Sequence, residues 1–219
     1  MGLDMAERTY ASLADRAYHQ VRDRLILLDI APGEAVNEAA LAAELGVGRT
    51  PLREGLKQLE RDRLVVSYPR RGTFATRVDL TDLADISEMR RVLEPLAAAR
   101  AARHATAAVR SELAERAEQI AALEPETEER RALMAYDLTV HRLIYRAAGN
   151  PHMEETLVRL DNLATRIWCL VLDRLPSVGE HIREHVGLLQ AILDGEPDRA
   201  GALAGEHVAH FEESVRAVL

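Results

Sequence analysis

Asp137 and His141 stand four residues apart, a spacing that puts a carboxylate and an imidazole on one face of a helix. The same stretch carries an apolar stripe of Met134, Leu138, Ile144, Tyr145 and Ala148, so both polar groups point inward. A carboxylate buried without a partner costs several kcal/mol, which means that Asp137 needs a cation, a donor or water. Further along, Ile182, Val186, Leu189 and Leu193 set His185 at a core edge, and Leu203, Phe211 and Val215 do the same for His207. One inward histidine is most often a satisfied core residue. Asp137, His141, His185 and His207 together, from three helices, can hold a divalent transition metal inside a bundle, with zinc the first choice and nickel or manganese as alternatives. His181, a turn before His185, falls off the stripe and is expected in solvent. His210 is set aside as a ligand, and His19, His104 and His152 are given no role.

A second group of residues has a different chemistry. Arg49, Arg53 and Lys57 recur every four residues opposite a leucine stripe of Leu52, Leu56 and Leu59, so one side of a helix is basic and free. Such a helix fits the major groove of DNA, where arginine bonds bidentately to guanine, while Thr50 and the free N–H groups of the helix start can hold a phosphate. Arg70 and Arg71 sit at the tip of a strand, turn and strand pattern, with Gly72 allowing close approach to backbone or minor groove. The chain as a whole has a formal charge of -8, but residues 47–77 carry eight basic and three acidic side chains. Charge alone leaves open a solvated helix face; helix, turn, helix and wing together favour DNA.

The elements that must position these residues follow from periodicity. Aromatic content is 4% and hydrophobic content 47%, which predicts a mainly α protein. A first helix carries Leu13, Ala17, Val21, Leu25 and Leu28 and ends at Ala31-Pro32-Gly33. A second runs from Asn37 to Leu45, and a third starts with Thr50 as N-cap and Pro51 at the first helical position, ending near Arg63. Val65–Tyr68 and Thr73–Thr76 flank Pro69-Arg70-Arg71-Gly72 as a hairpin wing. Helices at 80–103, 106–123, 127–148, 151–174, 177–194 and 197–218 then form an all-α bundle. This predicts a winged helix-turn-helix domain at 1–78 and a helical domain at 79–219.

The run from Leu41 to Val65, with Arg49-Thr-Pro-Leu-Arg-Glu54 and the wing's Arg71-Gly-Thr-Phe74, resembles the winged-helix domain of the GntR family of bacterial transcription regulators. The resemblance implies DNA contacts by Arg49, Thr50 and Arg53, with Gly72 packing in the wing. Two departures stand out: Gly48 replaces a frequent serine and removes one phosphate contact, and Gly55 replaces a usual alanine at a cost of about 1 kcal/mol to the helix. Residues 80–218 resemble the FCD ligand-binding domain of the FadR subfamily, through Asp137-Leu-Thr-Val-His141, Glu184-His185 and His207. That likeness implies a metal held by those four side chains and a small carboxylate effector beside it. Arg90, from the Arg-x-x-x-Glu segment ending at Glu94, is then the effector candidate, with Asn162 and Arg166 as weaker ones and Trp168 as packing. The alternative is an interhelical salt bridge of Arg90 or Arg91 with Glu94.

These readings converge on a dimeric repressor that binds a palindromic operator and is released by a small organic acid, rather than an enzyme. A metal-dependent hydrolase or isomerase is the runner-up, but it lacks a HExxH motif, a nucleophile elbow and a clear general base beside the ligands. A helical adaptor would leave the basic wing unexplained. The single cysteine, Cys169, and the lack of any long apolar run predict a cytoplasmic protein with no membrane association.

Overall fold

The computed structural model describes residues 10–124, 128–176 and 178–219, and the chain divides into two compact units between Asp79 and Leu80. The first unit holds α1 (Leu13–Ile26), α2 (Glu38–Glu44), α3 (Arg49–Arg61) and an antiparallel pair, β1 (Val65–Tyr68) and β2 (Gly72–Ala75). Ser12 caps α1 by accepting from the Asp15 amide at 3.1 Å, and Asn37 caps α2 by accepting from Ala40 at 3.0 Å. Ala17, Val21, Leu25, Leu52, Leu56 and Leu59 are buried as the two helical stripes meet.

Three local expectations are corrected. The N-cap of α3 is Gly48, not Thr50, and no side chain caps this helix. Pro51 therefore sits two positions deeper, at the third helical residue, where its missing N–H still costs nothing because the first-turn N–H groups have no intrahelical acceptors. α1 stops at Ile26, ahead of Ala31-Pro32-Gly33, because Leu28 takes a left-handed φ of 61°. That conformation usually calls for glycine, so the sequence carries no stop signal there. Gly55 does more than weaken its helix. A Cβ at this position would lie 2.9 Å from the Tyr18 amide nitrogen and 3.2 Å from the Ala14 carbonyl, so the absent side chain is what lets α1 and α3 approach.

The second unit contains α4 (Asp82–His104), α5 (Ala107–Ala121), α6 (Arg130–Ala147), α7 (Pro151–Val171), α8 (Val178–Leu193) and α9 (Pro197–Arg216), with a 3-10 turn at Leu172–Arg174. The helix break expected at Glu124-Pro125-Glu126 and the starts expected at 127 and 177 fall at or beside residues outside those described. α4 is the central element and packs against α6, α7, α8 and α9. Gly201 lets α9 lie close on it, since a Cβ there would meet the Pro95 carbonyl at 3.2 Å. Arg110 of α5 donates to the carbonyls of Ala102 at 2.8 Å and Leu193 at 2.9 Å, satisfying carbonyls at the C-terminal ends of α4 and α8.

Replacing Gly55 with alanine is expected to destabilise the protein by about 1–2 kcal/mol, since backbone overlap outweighs the gain in helix propensity. The urea midpoint measures this, and an unchanged midpoint would mean that α1 moves aside without cost.

Candidate metal centre and nucleic-acid interface

In the first unit, Arg49, Thr50, Arg53 and Lys57 are all exposed on α3, and Arg70, Arg71 and Gly72 are exposed at the hairpin tip. A groove of about 630 Å³ runs between helix and hairpin, lined by Thr50, Arg53, Lys57, Tyr68, Arg70 and Gly72 among others. The turn is made by left-handed residues, Arg70 at φ 61° and Gly72 at φ 93°. Sequence reasoning missed Glu38 here. Its carboxylate accepts from Arg53 Nε at 2.8 Å and from Thr73 Oγ1 at 3.3 Å, tying α2, α3 and β2 together. Arg53 remains 65% exposed, so the Nη edge of its guanidinium still faces outward.

In the second unit, the structure brings Asp137 and His141 of α6, His185 of α8 and His207 of α9 together, each at most 5% exposed and with their ligand atoms within 4.8 Å of one another. The tautomers follow from the outer partners. His141 Nδ1 is 3.2 Å from Glu94 Oε2, His185 Nδ1 is 3.2 Å from the Ile182 carbonyl, and His207 Nδ1 is 2.8 Å from Glu184 Oε2. Each Nδ1 thus has an acceptor to donate to, so that when all three rings are neutral their Nε2 lone pairs face each other. His141 Nε2 lies 3.2 Å from His207 Nε2 and 3.4 Å from His185 Nε2, and 3.7 Å separates Asp137 Oδ1 from the Nε2 atoms of His141 and His185. Donors bonded at about 2.1 Å around one tetrahedral ion stand about 3.4 Å apart. Asp137 Oδ1 is buried without a hydrogen-bond partner, as an acceptor reserved for a cation would be.

Electrostatics agree with a cation. Burial holds the His185 imidazole down at about 3, and burial with neighbouring histidines holds His207 well below its ordinary value, so both are neutral ligands. Burial also opposes charge on His141, but Glu94, Asp137 and Asp161 outweigh it and raise this group to about 9. The Asp137 carboxyl is held below the ordinary carboxylate range: burial works against its charge, but His141, His181 and His185 prevail. The donor set therefore fits a divalent transition metal, and Glu94 and Glu184 are the outer carboxylates that orient its imidazoles. The sequence assigns neither acid this role, because each reaches its histidine across helices.

His181 is corrected outright. It is 6% exposed rather than solvated, with Nε2 3.5 Å from Asp137 Oδ1 and its ring stacked on His207 at 4.0 Å. α8 is covered on more than one side, so its buried surface is wider than the stripe that leucine spacing defines. Arg90, 2% exposed, forms the salt bridge named as the alternative, though within α4: Nε donates to Glu94 Oε1 at 2.5 Å, and Nη2 stands 3.7 Å from Asp161. Arg91 pairs instead with Glu212 at 2.7 Å. Asn162 and Arg166 are buried on α7, and Asn162 Oδ1 accepts from Arg142 at 3.2 Å. Burial lowers the Arg166 guanidinium to about 10. Asp161, missed by sequence reasoning, is raised to about 6 by burial, with Oδ2 unbonded. Trp168 packs between Phe211 at 4.8 Å and His181 at 4.3 Å. His210 is exposed and bonds Glu184 at 2.7 Å, while His104 and His152 are exposed at helix ends.

A winged helix with a basic groove, followed by an all-helical unit, is the architecture of a DNA-binding transcription regulator. Residues 13–75 match the model of the gntR family of bacterial regulatory proteins, and residues 85–210 match that of the FCD domain. The chain belongs to the gntR family, in the group that carries an FCD domain. It is 45% identical over 62 residues to an HTH-type transcriptional regulator of Streptomyces ambofaciens, covering 28% of this chain and 26% of that protein. It is 48% identical over 44 residues to the Nta operon transcriptional regulator of Aminobacter aminovorans, covering 20% and 21% of the two chains. These matches thus span only about a quarter of the curated relatives' length. Among solved structures, E. coli McbR/YncC superposes with a TM-score of 0.81 at 20% identity, covering 94% of this chain and 98% of that one. A GntR regulator from Rhodococcus sp. RHA1 gives 0.71 at 20% identity, with the same coverage. At that identity the likeness speaks for the fold. Membership of a family of regulatory proteins disfavours the hydrolase or isomerase reading, and no helix among the described residues is long and apolar enough to cross a membrane.

Glu94→Ala is expected to cost about 3 kcal/mol, because it leaves Arg90 buried beside Asp161 alone and removes the acceptor for His141 Nδ1. Urea denaturation measures the loss.

Proposed function

We propose that this chain is a homodimeric transcription repressor whose hold on a palindromic DNA operator is controlled by a small organic acid bound beside a divalent metal. The observation that carries the reading is the convergence of three imidazole Nε2 atoms and one unbonded carboxylate oxygen in a buried site. Asp137, His141, His185 and His207 hold the ion, with zinc the first choice and nickel or manganese as alternatives. When bound, it supplies Lewis acidity toward an effector carboxylate. Arg90 offers its Nη edge to the same carboxylate while Glu94 holds Nε, and Asn162 and Arg166 line the approach. On the DNA side, Arg49, Thr50, Arg53 and Lys57 enter the major groove, and Arg70, Arg71 and Gly72 contact flanking backbone or minor groove. The apolar stripe of Met89, Val92 and Leu96, exposed along α4, supports a homodimer. A cytoplasmic setting fits these roles.

Two measurements test this. Protein purified without an affinity metal column is expected to contain about one transition metal per chain by elemental analysis, absent from a folded Asp137→Ala, His141→Ala variant. Absence of metal from the wild type after incubation with zinc, nickel and manganese would reduce the four residues to a polar core cluster. In gel shifts on DNA selected from a random library, Arg49→Ala with Arg53→Ala is expected to weaken specific binding at least about 30-fold, since each bidentate arginine–guanine pair is worth about 1–3 kcal/mol. Retained specificity would overturn the assignment of α3.

A further inference from the structure

We propose that Asp161 is a specificity residue of the effector site: its free carboxylate oxygen takes a hydrogen-bond donor, hydroxyl or ammonium, that the effector carries beside its own carboxylate. The inference rests on the effector reading above. Asp161 lies on α7 and is 1% exposed. Its Oδ1 stands 3.7 Å from Arg90 Nη2, too far for a hydrogen bond, but on the guanidinium edge that Glu94, bonded to Nε, leaves open. Its Oδ2 is buried and accepts no hydrogen bond from the protein. Burial raises this carboxyl only to about 6, so near neutral pH both of its oxygens are acceptors.

A buried acceptor left unpaired is costly, and the protein does not use its own donors on this one. Asn162 Nδ2, next in the chain, and Trp168 Nε1, two turns further along the same face of α7, are buried and themselves without hydrogen bonds, yet neither bonds Asp161. The apolar wall beside Arg90 is also in place. Its guanidinium lies over the Phe211 ring at 5.0 Å, and Trp168 stacks on that ring at 4.8 Å. A carboxylate seated on the Nη edge of Arg90 therefore comes beside an ionised Asp161, and the two repel in a low-dielectric interior unless a donor stands between them. A hydroxyl or ammonium close to the ligand's carboxylate supplies that donor and satisfies Oδ2. An acid without one leaves Oδ2 unpaired and places a second negative charge next to it, which is how a buried polar group rejects an analogue that lacks its partner.

The test is isothermal titration calorimetry of the full-length protein, in buffer containing zinc, with saturated mono- and dicarboxylic acids of two to six carbons, each beside its 2-hydroxy and 2-amino counterparts. Among acids that bind the wild type, a donor-bearing member is expected to bind at least about 10-fold tighter than its unsubstituted counterpart, and whether the hydroxy or the amino acid leads identifies the donor. In Asp161→Ala that ratio is expected to fall to about one. Because the ratio compares two ligands on one protein, a general loss of stability does not change it. Equal binding of substituted and unsubstituted acids by the wild type would overturn the proposal without any variant. A preference that survives in Asp161→Ala would overturn it too, since the donor then goes to the ion or to another acceptor. Failure of every acid to bind would overturn the effector reading, and this proposal with it.

Discussion

Three imidazole lone pairs and a carboxylate oxygen crowded into one buried volume constitute the constraint on which the second unit depends. Without a positive charge among them they repel, and burial removes the water that would otherwise screen the repulsion. The surrounding side chains hold this arrangement in place. Glu94 from α4 and Glu184 from α8 fix the Nδ1 protons of His141 and His207, and the Ile182 carbonyl fixes that of His185. The acids around the site raise His141 to about 9, so the protein favours a cation at the centre even where burial opposes one. A divalent ion satisfies all of these demands at once, whereas a single proton on His141 satisfies them only in part.

Much of this is legible from the sequence because helices place residues by period. The Asp-x-x-x-His spacing on an apolar stripe puts Asp137 and His141 inward whatever else the fold does, and the edges of two more stripes do the same for His185 and His207. Stripes fail where a helix is covered on more than one side. α8 buries Val178, His181, Ile182, His185, Leu188, Leu189, Ala191 and Ile192, an arc too wide for a rule that recognises only leucine spacing, and such a rule puts His181 in solvent. Local chemistry fails where the backbone departs from residue preference. Leu28 ends α1 in a conformation that glycine usually supplies, and Gly48 begins α3 without a capping side chain. Glu94 is legible as a partner of Arg90, but its bond to His141, like the roles of Glu38 and Glu184, is not, because it arises from a partner on another element.

Glu38 shows what such a tertiary acid does in a basic groove. A carboxylate on a surface meant for phosphates is unfavourable by long-range charge, so its place there requires a local gain. Its bond to Arg53 Nε leaves the guanidinium's other edge presented outward in a fixed orientation, and its second oxygen takes the Thr73 hydroxyl of the wing. α3 and the hairpin are thereby held in register through one side chain. Lys57 stands exposed on the same helix beyond the reach of that acid's hydrogen bonds, and a flexible ammonium suits phosphate contact better than base reading.

The same economy of carboxylates links the two parts of the proposed ligand site. Glu94 uses one oxygen for His141 Nδ1 and the other for Arg90 Nε, so a metal ligand and the effector's guanidinium share one acid. Positive charge arriving on the His141 side strengthens that ring's N–H as a donor and draws the carboxylate toward it, which loosens its hold on Arg90. An anion on the Nη edge of Arg90 would weaken that guanidinium's hold on the same acid and so act in the same direction. Binding events that act through one buried group are thermodynamically coupled, and each changes the other's affinity by the same factor. In the proposed site, metal and effector would then not be independent occupants of a shared pocket, because Glu94 would link the availability of Arg90 to the charge on the His141 side.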